Sequence, residues 1–174
     1  MVHTKYKFTP QDIAVYLLFA DLSRPREEEI LSNLFQEHND EIVWGYRQDF
    51  LKLRFEVRDA MALYELNDDE YAETQLILKE FDISRSDTEP DYFGAYFKLI
   101  KLKLLYSGKD FHRIKLRTLL RDFGYKRRTT TLINSMERAM KALDLRSYLK
   151  RYEPCELSQI DLDQMIMIRL SSQK

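Results

Sequence analysis

The stretch LRTLLRDFGYKRRTTTLINSMERAMKAL, residues 116–143, decides the fold of the second half of the chain. It begins as a short amphipathic helix that ends at Gly124, a residue type that commonly follows a helix C-terminus. The basic turn 125–128 comes next, and a longer helix then opens on three consecutive threonines, which cap helices well. This order predicts a helix-turn-helix whose turn and second helix are suited to an anion.

Shorter elements flank this stretch on both sides. Residues 91–107 carry aromatic and aliphatic side chains at helical spacing, and their length favours a helix over a strand. FHRIK at 111–115 alternates and predicts a short strand, while RSYLKRY at 146–152 and QMIMIRL at 164–170 predict two more. A strand, two helices and a closing hairpin, with residues 91–107 as the first helix, follow the order of a winged helix-turn-helix.

The first half of the sequence predicts a small helical bundle over residues 1–83. Apolar side chains recur at helical spacing in residues 9–22, 26–38 and 48–64. Asn67, followed by three acidic residues, is typical of the start of a fourth helix. The break Ser23–Arg24–Pro25 separates the first two of these helices.

The third of these segments has an unusual apolar pattern. Leu51, Phe55 and Ala62 form a second apolar line beside the first. Two apolar lines predict a helix that lies between other helices. We therefore expect a mainly α protein, in which an N-terminal helical bundle packs on a C-terminal winged helix-turn-helix with a small β-hairpin.

Composition restricts the class of protein. Hydrophobic residues make up 44% of the 174 residues, with only four glycines and four prolines, which favours a folded helical chain over disorder. No run of about 18 apolar residues is present, and the N-terminal sequence lacks the apolar core of a signal peptide. The single cysteine, Cys155, excludes an intrachain disulfide and fits a reducing compartment. We expect a cytoplasmic protein without a membrane partner.

Charge divides the sequence into opposed halves. Residues 1–107 contain 13 Lys and Arg against 21 Asp and Glu, a net charge of −8, whereas residues 108–174 contain 15 against 8, a net charge of +7. The polar, turn-rich segment ISRSDTEPD at 83–91 is the best internal boundary. We predict an acidic helical bundle at 1–88 and a basic winged-helix-like domain at 89–174. The basic domain suits a polyanion; alternatively, the two halves simply attract each other.

The basic turn and the helix after it carry the candidate binding residues. Cations beside a helix N-terminus combine formal charge with backbone N–H donors, which together hold phosphate. Polar residues that open a recognition helix meet base edges or phosphates, and cations at the start of the hairpin suit phosphate contacts. We predict nucleic-acid contacts at Lys126, Arg127, Arg128, Thr129, Thr130, Thr131, Asn134, Arg138, Lys141, Arg146, Lys150 and Arg151. The alternative is a solvated turn, or arginines paired with the acidic half.

Nothing in the sequence indicates catalysis. The three histidines are scattered without ligand-like spacing, and one cysteine cannot form a structural zinc site. No GxGxxG motif, P-loop or nucleophile elbow occurs, and the acidic run 68–70 is typical of a helix start. We predict a protein that is not an enzyme and that has no metal site and no cofactor.

Residues 111–170 resemble a small winged-helix-like module found fused to varied bacterial proteins, some of them linked to restriction and other phage-defence systems. The shared features are LRTLLRDFGYKRR at 116–128 and an acidic segment that leads into IDLDQMIMIRL at 160–170. Members of that family tend to have a glycine after the paired arginines, where this chain has Thr129. The resemblance implies a DNA-binding unit in a bacterial or phage protein, and it leaves residues 1–83 unassigned.

Two functions follow as expectations. The first is a DNA-binding regulator or defence-system accessory, with duplex DNA as the favoured partner and residues 1–88 as a site for a homodimer or another protein. The second is a protein-interaction adaptor or inhibitor whose acidic helical bundle docks a basic partner. The DNA-binding function rests on the positive charge of residues 108–174. The protein-interaction function rests on the negative charge of residues 1–107.

Overall fold

Two compact units divide the chain, residues 1–81 (unit 1) and residues 82–174 (unit 2). The computed structural model describes residues 4–45, 47–65, 92–150 and 153–172, with only the backbone at 64, 65 and 92. The predicted boundary between residues 88 and 89, and the helix predicted after Asn67, lie outside the described residues and stay predictions.

Unit 1 has three described α-helices, α1 (Pro10–Ala20), α2 (Arg24–Glu37) and α3 (Phe50–Glu65). Short 3-10 turns lie at Thr4–Tyr6 and Asn39–Glu41. A single parallel bridge joins the segments next to these turns. The Phe8 N–H donates to the Glu41 carbonyl at 2.7 Å, and the Val43 N–H donates to the Phe8 carbonyl at 2.8 Å. The bridge fixes buried Phe8 and Ile42 in the core.

Local signals in the sequence explain where the first and third helices begin. The Thr9 hydroxyl accepts from the Asp12 N–H at 3.2 Å, and the Asp12 carboxylate accepts from the Thr9 N–H at 2.8 Å. This capping box, with Pro10 in the first turn, starts α1. The Asp49 carboxylate likewise accepts from the N–H groups of Leu51 and Lys52 at 2.9 and 3.2 Å, at the start of α3.

The second apolar line of α3 lies on the surface. Leu53 and Val57 are fully buried in the core of unit 1, as the first line predicts. Leu51 and Phe55, however, have 57% and 63% of their surface exposed, and Ala62 is exposed on the same side. Within the described residues, the prediction that α3 is enclosed by other helices is therefore wrong for this face, which is exposed.

Unit 2 combines helices with a small sheet. Its elements in chain order are α4 (Tyr92–Tyr106), β1 (His112–Lys115), α5 (Leu116–Asp122), α6 (Thr130–Ala142), β2 (Leu145–Tyr148) and β3 (Met165–Leu170). The protein is thus mainly helical, as expected. None of the described helices has the length and apolar character needed to span a bilayer.

The strand predicted at 111–115 joins the two strands of the predicted hairpin in one three-stranded sheet. β3 is central and pairs antiparallel with β1 on one side and with β2 on the other. Ile114 lies opposite Ile166, and Leu145 lies opposite Leu170. The strand predicted at 146–152 ends at Tyr148, because the backbone there turns and the Leu149 N–H donates to the Glu153 carbonyl at 2.8 Å.

The core of unit 2 forms where the helices cover the inward face of the sheet. Alternate residues of β3 are buried, which is the pattern of a strand with one face on the core. The ring of Phe93 on α4 packs edge-on against Phe123 at 4.8 Å between ring centres. The remaining buried apolar residues of the helices include Phe97, Ile100, Leu116, Leu119, Leu120, Leu132, Ile133, Met136 and Met140. This core holds α5 and α6 in fixed positions beside the sheet.

Candidate nucleic-acid interface

A glycine corner connects α5 to α6. Gly124 has a φ of +80°, a conformation that costs other residues free energy. Its N–H donates to the Arg121 carbonyl at 2.8 Å, and the Tyr125 N–H donates to the Leu120 carbonyl at 2.9 Å. The Tyr125 ring then stacks on Phe93 at 6.3 Å. The residues that follow therefore project from an ordered corner.

Two cations of the turn point into solvent. Lys126 and Arg127 are exposed, and within the described part of the chain neither makes a hydrogen bond or an ion pair. Both lie just before the N-terminus of α6, where the helix dipole adds partial positive charge. The alternative was that these arginines form ion pairs with carboxylates of the acidic half. Among the described residues, Arg127 forms no such pair.

Arg128 has a different role from its two neighbours. One terminal nitrogen of its guanidinium donates to the backbone carbonyls of Leu157 and Ile160, at 3.3 and 2.5 Å. Leu157 and Ile160 are themselves buried. Arg128 thus holds the β2–β3 connection against the turn, which leaves less of its guanidinium for a ligand than the sequence-based prediction assumed.

The helix α6 has one buried and one exposed face. Leu132, Ile133, Met136, Ala139 and Met140 are buried. The opposite side presents exposed residues at a spacing of three, four and three positions, which places them in one row along the helix. These residues are Thr131, Asn134, Arg138 and Lys141.

The first threonine of the triplet acts as the helix cap. The Thr129 hydroxyl accepts from the Leu132 N–H at 3.3 Å, which settles which threonine starts α6. Thr130 and Thr131 follow in the first turn with exposed side chains. Thr131 therefore belongs to the exposed row, whereas the Thr129 hydroxyl is used to cap the helix.

Two of the three cations predicted near the hairpin lie among the described residues. Arg146 is exposed on β2, and Lys150 is exposed in the turn after that strand. Arg151 lies outside the described residues. Arg146 and Lys141 both line an open groove of about 540 Å³. Three carboxylates, those of Glu137, Asp144 and Glu156, line the same groove, so it is not a simple anion site.

The outward face of the sheet is basic, a feature that the sequence-based prediction missed except for Arg146. Side chains alternate between the two faces along each strand, which puts Arg113, Lys115 and Arg169 on the same face as Arg146. Arg146 lies directly opposite Arg169, an arrangement of like charges that costs free energy. The alternating patterns HRIK and MIMIRL were the signal that could have identified these residues.

No group of three or more potential metal ligands occurs among the described residues. Burial raises the pKa of the Cys155 thiol, with a smaller contribution from Glu137, whereas a hydrogen bond with Ser147 lowers it. A raised pKa keeps the thiol protonated, which is the opposite of what a nucleophile requires.

Comparisons with known proteins give no relative. A scan against protein-family models finds no match to this chain. Searches of curated proteins and of solved structures also find no match. A function for this chain therefore has to be argued from its own residues and geometry.

Proposed function

We propose that unit 2 is a winged helix-turn-helix that binds duplex DNA, with α6 as its recognition helix. The proposal is supported by the order of the elements, α4–β1–α5–α6–β2–β3, and by the central position of β3 in the sheet. In helix-turn-helix proteins the second helix of the motif enters the major groove. Here that helix is α6, and the glycine corner 124–125 precedes it.

The exposed row of α6 carries the proposal. From Thr131 to Lys141 it extends over ten residues, about 15 Å along the helix, a length that a major groove accommodates. Thr131 and Asn134 at the N-terminal end offer hydrogen-bonding groups for base edges. Arg138 and Lys141 farther along are suited to backbone phosphates.

The basic turn contributes phosphate contacts. Lys126 and Arg127 are exposed beside the N-terminus of α6, whose backbone N–H groups also attract anions. Charge on unit 2 as a whole is favourable, because residues 82–174 contain 19 Lys and Arg against 12 Asp and Glu, a net charge of +7. The function that follows is that of a regulator or a defence-system accessory, without a catalytic step.

Fluorescence anisotropy with a labelled random-sequence duplex tests this proposal. The full chain should bind at low salt and weaken as salt is added, because binding releases counterions from the phosphates. The double variant Lys126→Ala, Arg127→Ala should bind about tenfold more weakly, and the slope of log K against log salt should fall by about 2.

A matched control separates a defined site from general charge attraction. The double variant Arg113→Ala, Lys115→Ala removes the same charge from the outward face of the sheet. We expect it to retain most of the affinity of the unaltered chain. Equal losses in both double variants would show that the turn before α6 is not a defined site. Absence of duplex binding at low salt would end the proposal.

A further inference from the structure

The outward face of α3 has the composition of an interface. Among the described residues of unit 1, the large hydrophobic side chains that are exposed all lie on this helix. Leu51 and Phe55 are one turn apart, and Ala62 continues the same row two turns farther on. Exposed apolar side chains that gather on one side of a helix are a feature of contacts with another protein surface.

The charges on α3 restrict the kind of partner. Residues 1–81 contain 9 Lys and Arg against 17 Asp and Glu, a net charge of −8. The helix itself contains three of each sign and is neutral. Arg54 and Arg58 are paired with glutamates of α2, so they do not serve the outward face. The acidic charge of unit 1 disfavours a polyanion, and the balanced charges of α3 leave apolar contacts and local charge pairs as the attraction on this face.

The remaining charges of this face are arranged to complement a second copy. Lys52 and Asp59 lie on the same side of the apolar row, two turns apart. In an antiparallel pair of α3 helices whose two-fold axis passes beside Phe55, Lys52 of each copy is level with Asp59 of the other. The present partner of Lys52 is Glu56 at 3.8 Å, in an exposed and weak pair that can exchange.

We propose that the outward face of α3 binds the same face of a second copy of the chain, in an antiparallel two-fold pair. Leu51 and Phe55 of each copy form the apolar centre, and Ala62 lies at its outer edge. Two symmetric Lys52–Asp59 pairs flank it and set the register. Such a self-complementary contact is the usual form of a homodimer interface. The inference rests on unit 1 and is independent of nucleic-acid binding by unit 2.

Sedimentation velocity of the full chain over a wide range of protein concentration provides the first test. The sedimenting mass should rise from the 21.0 kDa of one chain to twice that value. Phe55→Glu should weaken the association by about 30-fold or more, because it places a charge at the apolar centre. Phe55 is exposed, so circular dichroism should show an unchanged fold. Phe111→Glu, at an aromatic residue that is 39% exposed in unit 2, is the control and should leave the association unchanged.

A charge exchange tests the antiparallel geometry. Lys52→Asp and Asp59→Lys, each alone, place like charges opposite each other and should weaken the homodimer. A mixture of the two variants should form a heterodimer in which both pairs are attractive again. A chain that stays at 21.0 kDa at all concentrations overturns the proposal, as does a dimer that Phe55→Glu leaves intact. Failure of the mixture to associate more strongly than either variant also counts against it.

Discussion

At the scale of single residues, Arg58 is the clearest structural link in unit 1. Its guanidinium donates to Glu27 at 2.5 Å and to Glu28 at 2.7 Å, and so joins α3 to α2. Arg54 contacts the same Glu28 carboxylate at 2.8 Å. Glu27 is only 8% exposed, so loss of Arg58 would leave a buried carboxylate without this ion pair. Charged residues here serve the fold rather than a ligand.

Glu28 should make the stability of unit 1 depend on pH. Burial raises the pKa of Glu28, but hydrogen bonds from Arg58 and Arg54 outweigh it and hold the pKa below its ordinary value. A carboxyl with a lowered pKa in the folded state stabilises at neutral pH, and that stabilisation is lost as pH falls through the folded-state pKa. We expect Glu28→Gln to cost about 1–2 kcal/mol at pH 7 and almost nothing once the carboxyl is protonated.

Urea unfolding followed by the fluorescence of the single tryptophan, Trp44, measures this effect in unit 1. Glu29→Gln is the matched control, because Glu29 pairs with Arg26 in an exposed contact with side-chain exposures of 65% and 43%. That variant should differ little from the unaltered chain at any pH. If Glu28→Gln lowered the free energy of unfolding equally at pH 7 and at acidic pH, the ionised Glu28 carboxylate would not be the source of the stabilisation.

At the scale of elements, α6 depends on its cap. Thr129 satisfies a backbone donor of the first turn, whereas Thr130 and Thr131 only expose their side chains. Thr129→Ala should destabilise α6 by about 1 kcal/mol. Amide hydrogen exchange measured for peptides that cover residues 132–142 should then be about fivefold faster.

The neighbouring threonine provides the comparison for this prediction. Thr130→Ala replaces an exposed residue in the first turn with a better helix former, so exchange in α6 should be unchanged or slightly slower. If both variants speed up exchange equally, the Thr129 side chain is not the cap that stabilises the helix. The test needs no ligand, so it is independent of the proposed function.

At the scale of the whole molecule, charge is separated between the two units. Residues 1–81 have a net charge of −8 and residues 82–174 a net charge of +7. A polyanion is therefore attracted to unit 2 and repelled by unit 1. The helix α3 itself is neutral, so the contact proposed for its outward face rests on apolar side chains and local charge pairs and not on the net charge of unit 1.

If both proposals hold, the dimer carries two copies of α6 and should bind long DNA with avidity. Phe55→Glu should leave the affinity for a duplex long enough for one unit unchanged. It should lower the affinity for a long duplex by about 100-fold, because the second contact is then no longer intramolecular. Anisotropy with the two duplex lengths measures this difference. Equal affinities of the variant and the unaltered chain for the long duplex would contradict it.

Local patterns account for much of the fold and for the centre of the candidate site. The apolar spacing of residues 130–142 identified α6 and its buried face, since one helical period separates the two faces. Thr9 and Gly124 marked a helix start and a helix end, because caps involve neighbours in sequence. The exposed row on α6 follows from the same period.

Pairing between strands that are distant in the sequence was harder to predict from local patterns. The alternation of FHRIK predicted a strand, but its position beside β3 depends on a partner about 50 residues away in the sequence. The basic outward face of the sheet was missed for the same reason. Side chains from three separate strands form it, and only the register brings them together.

The sequence by itself determined the helices that the structure describes, the place of the glycine corner and the opposed charge of the two halves, because these depend on neighbours or on composition. Only the tertiary structure decided that Arg128 holds backbone carbonyls of the β2–β3 connection while Arg127 remains exposed. It also decided that one apolar line of α3 is buried and the other exposed. Adjacent residues of the same type have the same local preferences, so their roles differ only through what the fold places next to them.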